Sequence, residues 1–396
     1  TLLLDPKNIT IASGSGDITD VFATSASDDS TVAASTINST LSAGTNVVLQ
    51  ANNDITVSSP ITASNSGNGG DLTLQAGRSV LVNANITTDN GDLTLTANET
   101  LSNGVVSDYR DSGAAVITLG AAINTGTGAF RVTISAGTGK TYLASGDITL
   151  SSVIAGSLVV ANNGPTSNSN IEDNGVLDIA GTSSFTTSVS DADITLDSAN
   201  EFTGAVTLNT SGTGGHAVVD NGTTALDIAA SSVGGDLTLT SGATAGITDS
   251  GTVTVGGDLT ATTDAGDGVI NLGQLAVDGT IALTTNGDGA ATVVNDAAIE
   301  FAASTVRGAL SATAGGAVTQ SGALAITGAT TISASGHNVT LNTATNNFQG
   351  AVGITGATVA VVDAGAIDLG ASVVSGTYTV TATAGGGITN TGVLAI

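Results

Sequence analysis

The chain has 396 residues, a formal charge of -27 from 33 acidic and only 6 basic residues, 54 glycines, 3 prolines and neither cysteine nor methionine. This charge excludes a phosphate backbone or an anionic lipid surface as a natural partner. With no cysteine there is no disulfide or zinc framework. Aromatics make up 2% of residues, too few for an ordinary globular core of this length, and charged residues only 10%. A thin core of Val, Ile, Leu and Ala in an elongated repeat protein fits better.

Taken in chain order, the first periodic text is "VVLQANNDITV" (47–57), "LTLQAGRSVLV" (72–82) and "LTLTANETL" (93–101), which steps Leu49, Leu74 and Leu95 by 25 and 21 residues. In "DLTLQAG", Leu72 and Leu74 share one face of a strand and Thr73 and Gln75 the other. The densest polar stretch is "SDYRDSG" (107–113). It makes Asp108, Tyr109, Arg110 and Asp111 a candidate exposed contact loop, against the plainer reading of a surface turn with a weak ion pair.

From residue 147 a longer period sets in. "ITLSSVIAGSLVV" (148–160, aligned with one deletion), "LDIAASSVGGDLTL" (226–239), "IEFAASTVRGALSA" (299–312) and "IDLGASVVSGTYTV" (367–380) are four copies of one phrase. A branched residue recurs at Ile154, Val233, Val306 and Val374, expected inward. Two residues later come Gly156, Gly235, Gly308 and Gly376, spaced 79, 73 and 68. A second phrase follows each copy, with Gly175, Gly251, Gly322 and Gly392 spaced 76, 71 and 70. These eight glycines are expected at corners that need positive φ. Two organisational blocks follow: residues 1–146, of plain coils, and 147–396, of 70–79-residue super-repeats, each about three steps of 19–25 residues.

Short alternating strands broken by Gly, Asn and Asp exclude helical repeats, and no Leu/Asn ladder supports a leucine-rich repeat. What remains is an all-β parallel β-helix (solenoid) of about 17 coils, roughly 80 Å long at ~4.8 Å per coil. The apolar stretch 351–370 alternates and carries Asp363 and Asp368, so it reads as strands and not as a membrane span.

Catalytic types are scarce. His216 and His337 lie in separate Gly-rich turns and read as exposed turn residues. The Asn pairs 52–53, 162–163 and 346–347 read as corner residues. Acidic turns at 262–269 and 285–291 carry fragments of a calcium-binding rhythm, never in tandem; structural Ca²⁺ there is the one cofactor the sequence offers, and otherwise none is expected.

The opening "TLLLDPKNITI" (1–11) resembles the "LLDP…ITI" phrase that closes the secretion domain of filamentous-haemagglutinin-like exoproteins of two-partner secretion systems. "GDLTLQAG" (70–77) and "NGDLTLTA" (90–97) are similar to the first coils of that family, and 318–352 to the degenerate repeats of giant bacterial surface proteins. The resemblance implies a right-handed helix, a secretion domain upstream of Thr1, export through an outer-membrane two-partner transporter, and an extracellular or cell-surface adhesive role toward host cells, neighbouring cells or glycans. The expectation is therefore a non-enzymatic structural or adhesive rod without membrane insertion. The alternatives are a head-to-tail filament subunit that partners itself and, remotely, a polysaccharide-active enzyme.

Overall fold

The computed structural model describes residues 6–14, 27–99, 109–137, 143–166, 169–383 and 385–396. Nearly every element is a strand of two to eight residues, and every described strand pairing is parallel. The fold is an all-β parallel solenoid of about 16 turns. It divides into two compact units, Thr1–Gly215 and His216–Ile396. The change of repeat style expected at 146/147 falls inside the strand Ser145–Leu150.

Three stacked columns build the core of the first unit. One runs Ile9, Ile55, Val80, Ile117, Ile148, Ile171, Ile194. A second runs Leu49, Leu74, Leu95, Val132, Val160, Phe185, Leu208, so the leucines that set the sequence period stack directly. A third, shorter column runs Ile61, Ile86, Ile123, Val153, Leu177. All of these side chains are buried. Strand alternation points each inward, and like packs on like at every coil. Phe185 meets Phe202 edge-on, with centroids 5.8 Å apart, so the rare aromatics are spent in the core.

One helix, Ala34–Ser42, breaks the pattern in the first unit. Ala34, Ile37 and Leu41 form its buried stripe, and Gly44 at φ +72° ends it. It lies beside the outermost strand of the third sheet, Ile61–Thr62. There Asn38 Oδ1 accepts the Thr62 N–H (2.8 Å) and Ser42 Oγ the Ser64 N–H (2.9 Å). Helix side chains thus occupy donors of an otherwise open sheet edge.

In the second unit the two phrases of the super-repeat are adjacent coils. Leu226–Ile228 pairs with Ile247–Asp249, Ile299–Phe301 with Val318–Gln320, and Ile367–Leu369 with Ile388–Asn390. The copies at 226 and 367 belong to one sheet and the copy at 299 to the other. The super-repeat is therefore three and a half coils, not three, and successive copies land on opposite faces of the unit. At 19–23 residues per coil this yields the 68–79-residue period.

Two packing expectations change. Val233, Val306 and Val374 are buried, but Ile154 is 46% exposed and its neighbours Val153 and Ala155 point inward. The deletion in this copy falls at the corner after Ala155, which shifts the alternation by one. None of the eight phrase glycines has positive φ. Their need is steric. A Cβ on Gly308 would sit under 3.0 Å from the backbone of Asp288 and Gly289; on Gly322, from Ala303; on Gly392, from Ala371; on Gly175 and Gly251, from Ser152 and Ala230. Gly376 is looser, its nearest atom being Ala357 O at 3.1 Å. At Gly156, Gly175, Gly251, Gly308, Gly322 and Gly392 the coils stack so closely that only hydrogen fits.

Candidate functional site

Most chemistry-bearing side chains are used to join coil to coil. At one turn of the first unit Asp71 Oδ1 accepts the Asp92 N–H (2.9 Å) and Asp92 Oδ1 the Ala129 N–H (2.8 Å). In the second unit Asp236 Oδ1 accepts the Asp258 N–H (2.8 Å) and Asp258 Oδ1 the Thr280 N–H (2.7 Å). Much of the acidity is thus a ladder of acceptors for the next coil's backbone. Buried threonines serve the turns: Thr125, Thr210, Thr263 and Thr285 each donate Oγ1–H to a glycine carbonyl three to five residues on.

Among the Asn pairs, Asn52, Asn53, Asn162 and Asn346 are buried corner residues. Asn346 bridges Gln320 and the Leu324 N–H of one coil to the Val362 carbonyl of another. Asp173 is buried and accepts from the Asn200 amide (2.7 Å) and from the Asp197 and Ser198 N–H groups. Burial pushes its carboxyl above the usual range against those hydrogen bonds.

In the loop expected as an exposed contact at 108–111, Asp111 is exposed. Asp108 lies outside the described residues, and Tyr109 is half-buried. Arg110 is only 2% exposed. Its guanidinium donates to the carbonyls of Gly77 (2.8 Å), Asp111 (3.1 Å), Gly113 (3.3 Å) and Ala144 (3.3 Å) and to Asn98 Oδ1 (3.4 Å). Burial lowers its pKa, and the nearby charge of Arg78 acts in the same direction. Arg78 itself forks onto Asp54 and reaches the Ser112 carbonyl (3.0 Å), while Lys7 pairs with Asp111 (3.0 Å). Three of the six cations therefore pin this segment to the coils below and above it.

His337 is exposed. His216 is half-exposed; its Nδ1 accepts the Asp236 N–H (2.9 Å), and Asp236 Oδ2 lies 3.4 Å away. In the acidic turns Asp267 Oδ1 accepts the Asp288 N–H (2.7 Å). Among the described residues no three His, Cys, Asp or Glu side chains are grouped to hold a metal, and no helix is long and apolar enough to cross a membrane.

A groove of about 420 Å³ lies on the outer face of the sheet whose inner face carries the column Ile61, Ile86, Ile123, Val153, Leu177. Two columns line it. One runs in register through Thr87, Asn124, Ile154, Asp178 and Glu201. The other, two residues earlier on the same face, runs through Asn85, Ala122, Ser152 and Val176. Ile154 and Val176 present apolar surface at its centre (46% and 38% exposed), and Asp178 and Glu201 stand on neighbouring coils at one end. No single spacing in the sequence marks this groove. Its residues are 23 to 37 apart, and the nearest clue is the outward Ile154.

A family model describing repeats of unknown function (DUF5649) matches residues 136–209, 214–286, 288–355 and 356–396, well over half of the chain. Its starts step by 78, 74 and 68 residues, the period of the phrase glycines. No curated protein and no solved structure matches the chain. By that coverage the chain belongs to the family of repeats of unknown function, DUF5649.

Proposed function

We propose that this chain is a non-enzymatic structural and adhesive solenoid, a segment of a larger secreted exoprotein of the filamentous-haemagglutinin-like kind. On this reading it is exported through an outer-membrane two-partner transporter and works at the bacterial surface or beyond it. One observation carries the reading: carboxylates, amides and hydroxyls of the kind that do chemistry are largely committed to neighbouring coils, while an open groove remains for contact. Repeat solenoids use such surfaces to bind partners. The test coats beads with the full chain and measures retention on host cells and on neighbouring bacterial cells. Wild-type beads are retained and beads carrying Ile154→Asp with Val176→Asp are not. Equal retention of both, or turnover of a polysaccharide that Asp178→Asn abolishes, contradicts the reading.

A further inference from the structure

The groove also has a directional chemistry. We propose that it binds an extended peptide segment running along the coil axis, with an apolar side chain over Ile154 and Val176 and a basic side chain, two residues on, between Asp178 and Glu201. This deepens the adhesive reading and rests on the groove being the contact face.

Distance comes first. Successive coils are ~4.8 Å apart, so the gap between Asp178 and Glu201 lies about one and a half coils, or ~7 Å, beyond Ile154. An extended chain carries its i and i+2 side chains on one face at about the same separation, twice ~3.3 Å. A peptide that seats an apolar residue on Ile154 thereby brings its next same-face residue to the carboxylates.

Charge narrows the occupant. Among the described residues the groove is lined by two carboxylates and no Lys or Arg. Lys7, Arg78 and Arg110 are engaged elsewhere with Asp111, Asp54 and backbone carbonyls. An anionic ligand would be repelled at the Asp178 end, and so would another copy of a chain with net charge -27. A cationic group gains two opposed charges on adjacent coils.

Hydrogen bonding and shape favour peptide over glycan. Asn85 Oδ1 already accepts the Ala122 N–H (3.2 Å) and Asn124 Oδ1 the Gly126 N–H (2.9 Å). Their amino groups are then the donors offered to a ligand, which suits peptide carbonyls. Among the described residues no aromatic side chain lines the groove, and a sugar ring finds no flat surface there to stack on.

The test is fluorescence anisotropy of the full chain with a fluorescein-labelled, amidated peptide Ser-Thr-Leu-Ser-Lys-Ser. Saturable binding is expected, weakened about tenfold by Lys→Glu or Leu→Ser in the peptide, and weakened by added salt. The variant Asp178→Asn with Glu201→Gln should bind the Lys and Glu peptides alike; both carboxylates are on the surface, so circular dichroism and urea midpoint should stay at wild-type values. No saturable binding of the Leu-Ser-Lys peptide, no preference for Lys over Glu, or an unaltered preference in the double variant overturns the proposal. Binding of neutral dextran that the peptide does not displace overturns the peptide assignment but leaves the contact face standing. Loss of bead retention as a discriminating property overturns the contact face itself.

Discussion

Replacing Gly322 by Ala tests the steric reason for the phrase glycines. A Cβ there would lie under 3.0 Å from three backbone or side-chain atoms of Ala303 in the coil below, where ordinary contact begins at 3.4 Å. The two coils must part by about 1 Å at a corner where Phe301 O accepts the Ser321 N–H (2.9 Å) and the Gly322 N–H (3.4 Å). Overpacking of this size costs about 1–3 kcal/mol, and each weakened hydrogen bond adds up to about 1 kcal/mol. A total near 3 kcal/mol is expected, or about 6–12 °C in Tm for a unit of this size. Gly266 is the control: it lacks positive φ and has nothing within 4 Å of its Cβ position, so Gly266→Ala should stay within about 0.5 kcal/mol. Both are read by thermal and urea unfolding. Because solenoid coils depend mainly on their neighbours, amide exchange at 299–326 should also quicken in Gly322→Ala. Equal midpoints for the two variants would refute the stacking reason.

Val306→Asp places a carboxylate in a fully buried position and should cost about 3–5 kcal/mol in urea unfolding, whereas Ile154→Ser should change the midpoint by less than about 0.5 kcal/mol; the reverse order would invert the inside and outside assigned here. Arg110→Ala strips donors from four carbonyls and Asn98 and should lose about 2–4 kcal/mol, with Arg110→Lys recovering only part because an ammonium cannot span the same fork. Asp173 has a folded pKa above its unfolded value. Its contribution to stability is therefore fully present below the unfolded pKa and is lost as pH rises through the folded one. A carboxyl carbon NMR titration should place Asp173 above the ordinary value of ~3.9, and a midpoint at or below it contradicts the burial argument.

The core was legible because alternation and period act together. Leu49, Leu74 and Leu95 repeat at coil spacing, and they stack. The half-coil offset was not, because a count of residues carries no direction: the copies at 226 and 299 read alike and lie on different sheets. A missing residue near Ile154 can be placed before or after it in an alignment, and only packing decides, through Ala155 turning inward. Arg110 sits between polar residues and reads as solvated, yet the carbonyls that surround it come from positions up to 34 residues away. The helix left one sign, the apolar spacing of Ala34, Ile37 and Leu41. The groove left almost none, because each coil contributes only one to three of its residues.

The register itself is open to a direct measurement, since the chain has no cysteine of its own. Glu300 and Thr319 are register partners in adjacent coils, both facing outward. Glu300→Cys combined with Thr319→Cys should oxidise to an intrachain disulfide in the folded protein, because partner Cα atoms ~4.8 Å apart lie within disulfide reach. Glu300→Cys combined with Ala323→Cys should remain reduced under the same conditions. If the 300–323 pair closes and the 300–319 pair does not, the coils are longer than proposed, the super-repeat is three coils, and the stacked register is wrong.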